Sequence, residues 1–314
     1  MRTTFSATLI LLFFISQALF SQSTTIKNVY LIDLQKSDST YTVESAQFVS
    51  SYNSNGQNEH PYFINNQRIY ISSSTTKNGF EELDIYELNL QTKKKIRITS
   101  TVENEFYPKS TFDSYYFSAI REEADMDKTK RLWKFPVYVK HEEDMGKPLF
   151  PYLRGIENYE WINRDYTALV VEAKNSNRLF IGKVSDNSTV FVGSDTGICI
   201  HKKKNSNNIF YVDKSYLNKW VIKEAVLDGA QGNNKELDIQ SNELVETLNE
   251  QEFFGVMTNN DLIMGKGSKL FLFSYKNKEQ SEWEEIIDLS SLNITNIEHI
   301  TVNTKNQLLI VTNN

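Results

Sequence analysis

Several scarcities narrow the reading before any motif is considered. The chain of 314 residues has one cysteine, Cys199, so no disulfide framework can staple it. Five prolines and 12 glycines are too few for collagen-like or Pro/Gly-rich linker sequence. Acidic residues outnumber basic ones, 40 against 34, for a net charge of −6, whereas a nucleic-acid-binding surface calls for a basic excess. Four histidines and the single cysteine leave no metal cluster of the usual ligand spacing. After Phe20 no apolar stretch reaches the ~20 residues that a membrane-spanning helix needs.

What the chain does have is ring-bearing and strand-forming sequence. Aromatics make up 12% of it, with 16 Tyr and 19 Phe, a bias that favours strands over helices. At the N-terminus, Arg2 precedes an almost unbroken apolar run from Ala7 to Phe20, and Ser21 is a small residue ahead of Gln22. This is the pattern of a secretory signal peptide over residues 1–21. The run is shorter than a membrane span, and no cysteine near the cut offers lipid attachment. The expected mature chain, residues 22–314, is exported, periplasmic or secreted, and is not membrane-spanning.

The stretch from Glu59 to Thr99 holds four short β runs, each apolar at alternate positions and each bounded by turn residues. Four strands joined by tight turns form one antiparallel sheet, the unit of a propeller blade. The third strand of the unit recurs as Val29-Tyr30-Leu31, Ile85-Tyr86, Leu132-Trp133, Leu179-Phe180-Ile181, Trp220-Val221-Ile222 and Leu270-Phe271-Leu272, at spacings of about 40 to 56 residues. The first strand recurs independently, each copy running into an Asn- or Asp-bearing turn: Asn65-Asn66, Asp113, Asn163 to Asp165, Asn205 to Asn208, Asn259-Asn260 and Asn303. Both registers count six. The two runs after Asn296 and the two that open the mature chain each make half a unit, and pairing them removes an exposed edge. The expected fold is all-β: a six-bladed β-propeller of four-stranded antiparallel blades in a single domain, its ring closed by N- and C-terminal strands in one shared blade. The limits of the fourth blade, from Asp195 to Ile239, are poorly marked.

Two segments carry a family likeness. Glu59-His60-Pro61-Tyr62-Phe63-Ile64-Asn65-Asn66 with Asp84-Ile85-Tyr86-Glu87-Leu88, and Asn104-Glu105-Phe106-Tyr107-Pro108, resemble the WD40-like (PD40) propeller repeats of TolB-like proteins. The motif match covers residues 58 to 118; later copies lack the Pro, and none keeps an Asp-Gly turn. The resemblance implies a propeller that binds a protein partner in the cell envelope, and it implies no catalysis of its own.

Six acids each precede a first strand: Glu59, Glu105, Glu157, Asp195, Glu252 and Glu298. In a propeller that position rims one mouth of the central channel, and carboxylates gathered there would focus a negative potential suited to a basic peptide, a polyamine or, weakly, Ca²⁺. The alternative is local: each acid accepts backbone N–H bonds in its own turn. His60, Tyr107, Tyr159 and His299 sit beside these acids as a further part of a candidate binding rim, or as rings of the core between blades. No catalytic residue, metal site or cofactor is indicated. The sequence has no Gly-x-Ser-x-Gly elbow, Gly265 to Ser268 is a hairpin turn and not a phosphate loop, and Cys199 between Ile198 and Ile200 reads as a small buried hydrophobe. His141 to Asp144 and Asp125 to Asp127 are acidic loop segments, and Lys202-Lys203-Lys204 is a short charged turn. The functional expectation is a monomeric binding module for a protein, peptide or envelope component; the alternative is a propeller enzyme acting on a carbohydrate or lactone through mouth carboxylates.

Overall fold

The computed structural model describes residues 25–313, apart from 38–39, 78–79, 139–145, 231–236, 250 and 277–281. The expected leader and the acidic segment at His141 to Asp144 lie outside the described residues. Strand β1 (Lys27–Ser37) and its hairpin partner β2 (Thr40–Phe48) open the chain. A first four-stranded sheet holds β3 (Asn58–Phe63), β4 (Arg68–Lys77), β5 (Phe80–Asn89) and β6 (Lys95–Arg97). A second holds β7 (Asn104–Ser110), β8 (Tyr116–Glu122), β9 (Lys130–Pro136) and β10 (Lys147–Pro148). A seven-stranded sheet follows: β11 (Ile156–Trp161), β12 (Tyr166–Ala173), β13 (Ser176–Lys183), β14 (Ser188–Lys202), β15 (Ile209–Asp213), β16 (Val221–Asp228) and β17 (Asp238–Glu246). The next sheet is β18 (Phe254–Val256), β19 (Leu262–Lys266), β20 (Lys269–Phe273) and β21 (Glu284–Asp288). The last two strands, β22 (Ile297–Val302) and β23 (Leu308–Asn313), return to the start, where β23 pairs antiparallel with β1 from Lys27↔Asn313 to Ile32↔Leu308. Helix among the described residues amounts to two single 3₁₀ turns, Ser51–Asn53 and Ser290–Leu292.

The seven-stranded sheet explains why the sequence marks its fourth unit poorly. β14 runs for 15 residues without the turn found elsewhere; its first part pairs with β13 and its last part with β15. One strand therefore ends one four-stranded unit and begins the next. The joint is marked by Asp195, which takes a left-handed φ of 55°, and by Gly197, where a Cβ would press on the Val212 side chain at 2.9 Å.

Burial follows position within each sheet. The second strands, β8, β12, β19 and β23, are buried along almost their whole length, as expected of strands covered on both faces. The fourth strands, β2, β6, β17 and β21, are largely exposed and carry charges such as Lys95, Arg97, Glu243, Glu284 and Glu285, which oppose edge-to-edge pairing with another chain. Six apolar seams lie between successive sheets or half-sheets. One joins Ile69 and Ile71 of β4 to Val29 and Leu309, and another joins Ile263 and Leu270 to Ile300 and Leu308. The turns that close the first hairpins are held as their composition suggests. The Oδ1 atoms of Asn65, Asn163 and Asn303 each accept backbone N–H bonds from two residues further along.

Candidate functional site

The first strand of each unit is the inner one, and bulges shape it. Register shifts occur at Glu59/Tyr62 in β3, Phe106/Lys109 in β7, Ile156/Asn158 in β11 and Ile297/His299 in β22. A bulge inserts an unpaired residue and re-aims its side chain. At His60 and Tyr107 the backbone is left-handed, with φ of 52° and 50°, costly for side chains of this size. Pro61 and Pro108 follow directly, and a proline leaves no N–H unpaired at such a bulge. The two re-aimed rings lie against each other at a tilt of 35°, centroids 3.7 Å apart, and the His299 ring lies 5.3 Å from that of Phe253. These rings form a waist between two unlike ends.

On the strand-entry side of the waist stand the acids singled out above, and most have a cation at hand. Lys27 Nζ bridges Glu59 at 3.0 Å and Glu298 at 3.1 Å. Glu157 accepts from Lys130 Nζ at 2.9 Å. Glu252 accepts from Lys214 Nζ at 2.6 Å and from the backbone N–H of Ile198 at 3.1 Å. Glu105 is fully buried and accepts from Arg121 Nε at 3.1 Å and the Thr101 hydroxyl at 2.7 Å. Burial pushes its carboxyl up to about 7 despite these partners. Asp195, in the middle of β14, accepts from the Ser194 hydroxyl at 3.1 Å. Five of the six thus face a lysine or arginine, which compensates most of the charge expected to rim this end. The void between Lys27, Glu59, Phe253 and Glu298 is only about 20 Å³.

The candidate rings divide. Tyr159 is wholly buried, its hydroxyl donating to the Tyr107 carbonyl at 2.9 Å, as part of the seam between β7 and β11. His60, Tyr107 and His299 instead reach a larger space on the strand-exit side, a cavity of about 490 Å³. Its wall also includes Lys109, Asn158, Glu160, His201 and the Lys202 to Lys204 turn, with Phe112 at its rim. Lys109 Nζ donates to Glu160 at 2.6 Å. Burial, first of all, holds the imidazoles of His60 and His299 well below the usual histidine range and lowers His201 to about 4, so all three are neutral at pH 7. Nδ1 of His60, Nδ1 of His299 and Nε2 of His201 are buried without a hydrogen-bond partner. Among the described residues no group of three or more His, Cys, Asp or Glu is placed to hold a metal ion.

Sequence reasoning set Lys202 and Lys204 aside as a short charged turn and did not single out Lys109, Asn158, Glu160, Phe112 or His201 as site residues. A signal for them exists: each lies on a first strand or on the turn after it, so the same register that placed the acids at one end places these at the other.

No family model matches the chain, and no curated protein does. Solved structures do. TolB from Acinetobacter baumannii is similar at TM-score 0.53 and 13% identity, over 91% of this chain and 64% of that one. The putative TolB from Agrobacterium tumefaciens is similar at TM-score 0.61 and 8% identity, over 93% and 99%. A chain of the nidogen/laminin complex is similar at TM-score 0.55 and 9% identity, over 91% and 97%. This chain therefore spans somewhat less than two thirds of the A. baumannii TolB chain. At such identities the likeness is one of fold.

Proposed function

From a TolB-like β-propeller fold, we propose that the chain is an exported binding module that receives part of a protein, peptide or other cell-envelope component in the cavity beyond the waist. The observation that carries this reading is the cavity: about 490 Å³, within the range of small-ligand sites, with aromatic, histidine and lysine residues in its wall. The propeller is read as six-bladed and closed by the sheet that β1, β2, β22 and β23 share. Six apolar seams in cyclic order and the β1–β23 pairing support that count. The apolar run from Ala7 to Phe20 supports export. The acid end is the weaker candidate because its carboxylates are engaged. The enzyme alternative rests on mouth carboxylates, and five of those six face a lysine or arginine.

The test is affinity capture from an envelope extract of the source organism, with the captured component identified by mass spectrometry. The mature chain is compared with Thr304→Trp, which obstructs the exposed rim of the cavity, and with Glu59→Lys/Glu298→Lys at the opposite end. Loss of the component by Thr304→Trp alone supports the reading. Loss only by the acid-end variant, or retention of nothing by the native chain, refutes it.

A further inference from the structure

Charge in the cavity is one-sided. Four lysines line it, Lys109, Lys202, Lys203 and Lys204, against the single carboxylate of Glu160. Two of the four are committed. Lys109 Nζ is spent on Glu160 and, at 2.5 Å, on the Tyr159 carbonyl. Lys203 Nζ donates to Glu224 at 2.8 Å and to the Tyr275 hydroxyl at 2.5 Å. Lys202 and Lys204 form no ion pair among the described residues; Lys202 Nζ lies 6.0 Å from the centre of the Phe112 ring, and Glu160, already held by Lys109, attracts both ammoniums from beyond ion-pair distance.

The local structure explains the split. Lys202 is the last residue of β14, and the turn after it is pinned by Lys203 N–H to the Asn208 carbonyl at 2.9 Å and by Lys204 N–H to Asn260 Oδ1 at 2.7 Å. Lys203 finds Glu224, while no carboxylate lies within ion-pair distance of Lys202 or Lys204 among the described residues. Both stay partly buried, and burial holds both ammoniums below the usual lysine range. Placing two further cations in a concave, partly desolvated wall whose carboxylate, Glu160, already serves Lys109 is unfavourable unless something answers them. The net charge of the chain is −6, so this local excess runs against the protein as a whole.

We propose that the cavity binds an anionic ligand group carrying two negative charges, as carboxylates or as a phosphate, seated against the ammoniums of Lys202 and Lys204. Phe112, 48% exposed at the rim, offers the ligand an apolar face. The inference rests on the cavity being the binding site and adds the chemistry of what enters it.

Isothermal titration of the mature chain at pH 7 and low ionic strength, with citrate, succinate, inorganic phosphate and uncharged glucose as probes, tests it. Citrate, succinate or phosphate binds, glucose does not, and the affinity weakens as salt is added. Each of Lys202→Gln and Lys204→Gln weakens binding about tenfold or more, the scale of one hydrogen bond to a charged group. Lys93→Gln/Lys94→Gln, on the distant β5–β6 turn, leaves it unchanged. Preference for the carboxylates or for phosphate identifies the ligand chemistry, and either supports the proposal. In anion-free buffer Lys202→Gln/Lys204→Gln melts no lower than the native chain, since it removes charge and no contact; this separates a binding role from a structural one. Absence of anion binding at millimolar probe, or equal binding by the lysine variants, overturns the proposal. An envelope component lost by Thr304→Trp but kept by the double lysine variant overturns it too, while leaving the cavity as the site.

Discussion

Glu105 makes the stability of this fold depend on pH in the direction opposite to most carboxylates. Its side chain is fully buried beside β8, with Oε2 lacking a hydrogen-bond partner. In the folded chain it titrates near 7, against 4.5 for an ordinary glutamate. Between those values the folded chain keeps a proton that the unfolded chain has released, so stability falls as pH rises. At about 1.4 kcal/mol for each pH unit of that interval, the full loss is ~3 kcal/mol, complete above pH 7. Glu105→Gln preserves the shape and the acceptor for Thr101 while removing the titration. Urea melts followed by tryptophan fluorescence at pH 5, 6, 7 and 8 give the comparison. The native chain should lose ~3 kcal/mol relative to the variant across that range, whatever the constant offset caused by leaving Arg121 without its counter-ion. Subtracting the two profiles cancels every other titrating group. Parallel profiles would refute the argument, because they would mean that the carboxylate is ionised throughout and that Arg121 outweighs burial.

Three other outcomes are expected. The buried histidines act in the other sense: His201 titrates near 4 in the folded chain and near 6.5 in the unfolded one, so the stability present above pH 6.5 is lost as pH falls toward 4. In the Glu105→Gln background the urea midpoint should drop between pH 7 and 5, and less so with His201→Gln; equal drops would dismiss this source. Lys27→Met leaves Glu59 and Glu298 facing each other without a cation and should cost ~1–3 kcal/mol, partly recovered by adding Glu298→Gln; an unchanged midpoint would show the bridge to be idle. Gly265→Ala places a methyl against Ile297 across the seam between β19 and β22, an overpacking worth ~1–3 kcal/mol, which a thermal melt would register as a lower midpoint.

Much of the fold is written locally, which is why it can be read from the chain. Each third strand carries its own apolar pair or triplet and each first hairpin its own Asn or Asp turn, and both signals act within a few residues. The pairing of β1 with β23 is not local, yet the two half-units, β1 with β2 and β22 with β23, point to it. The failure at the fourth unit is equally physical. β14 passes from one unit to the next with no turn, and the only trace of the joint is Asp195 with the small residues Gly193, Ser194 and Gly197 around it. A boundary made by a left-handed residue inside a continuous strand has no sequence punctuation to find.

The site was less legible because charge can be counted in a sequence but pairing cannot. The acids before the first strands recur visibly, but their cations come from afar: Lys27 for Glu298, 271 positions away, or Lys130 for Glu157, 27 positions away. The Lys130–Glu157 bridge ties neighbouring sheets together, whereas Lys27 and Glu298 belong to one sheet; in both cases the carboxylate is engaged by a cation of the fold. The lysines of the 202–204 turn show the converse. A run of three lysines reads as solvated surface, and Lys203 alone would have been an ordinary partner for Glu224. What distinguishes its neighbours is that the fold gives them a concave wall and, among the described residues, no ion pair of their own, the carboxylate of Glu160 being taken by Lys109. In a chain where most partly buried charges are matched, the informative residues are the unmatched ones, and here they gather at the exits of the inner strands.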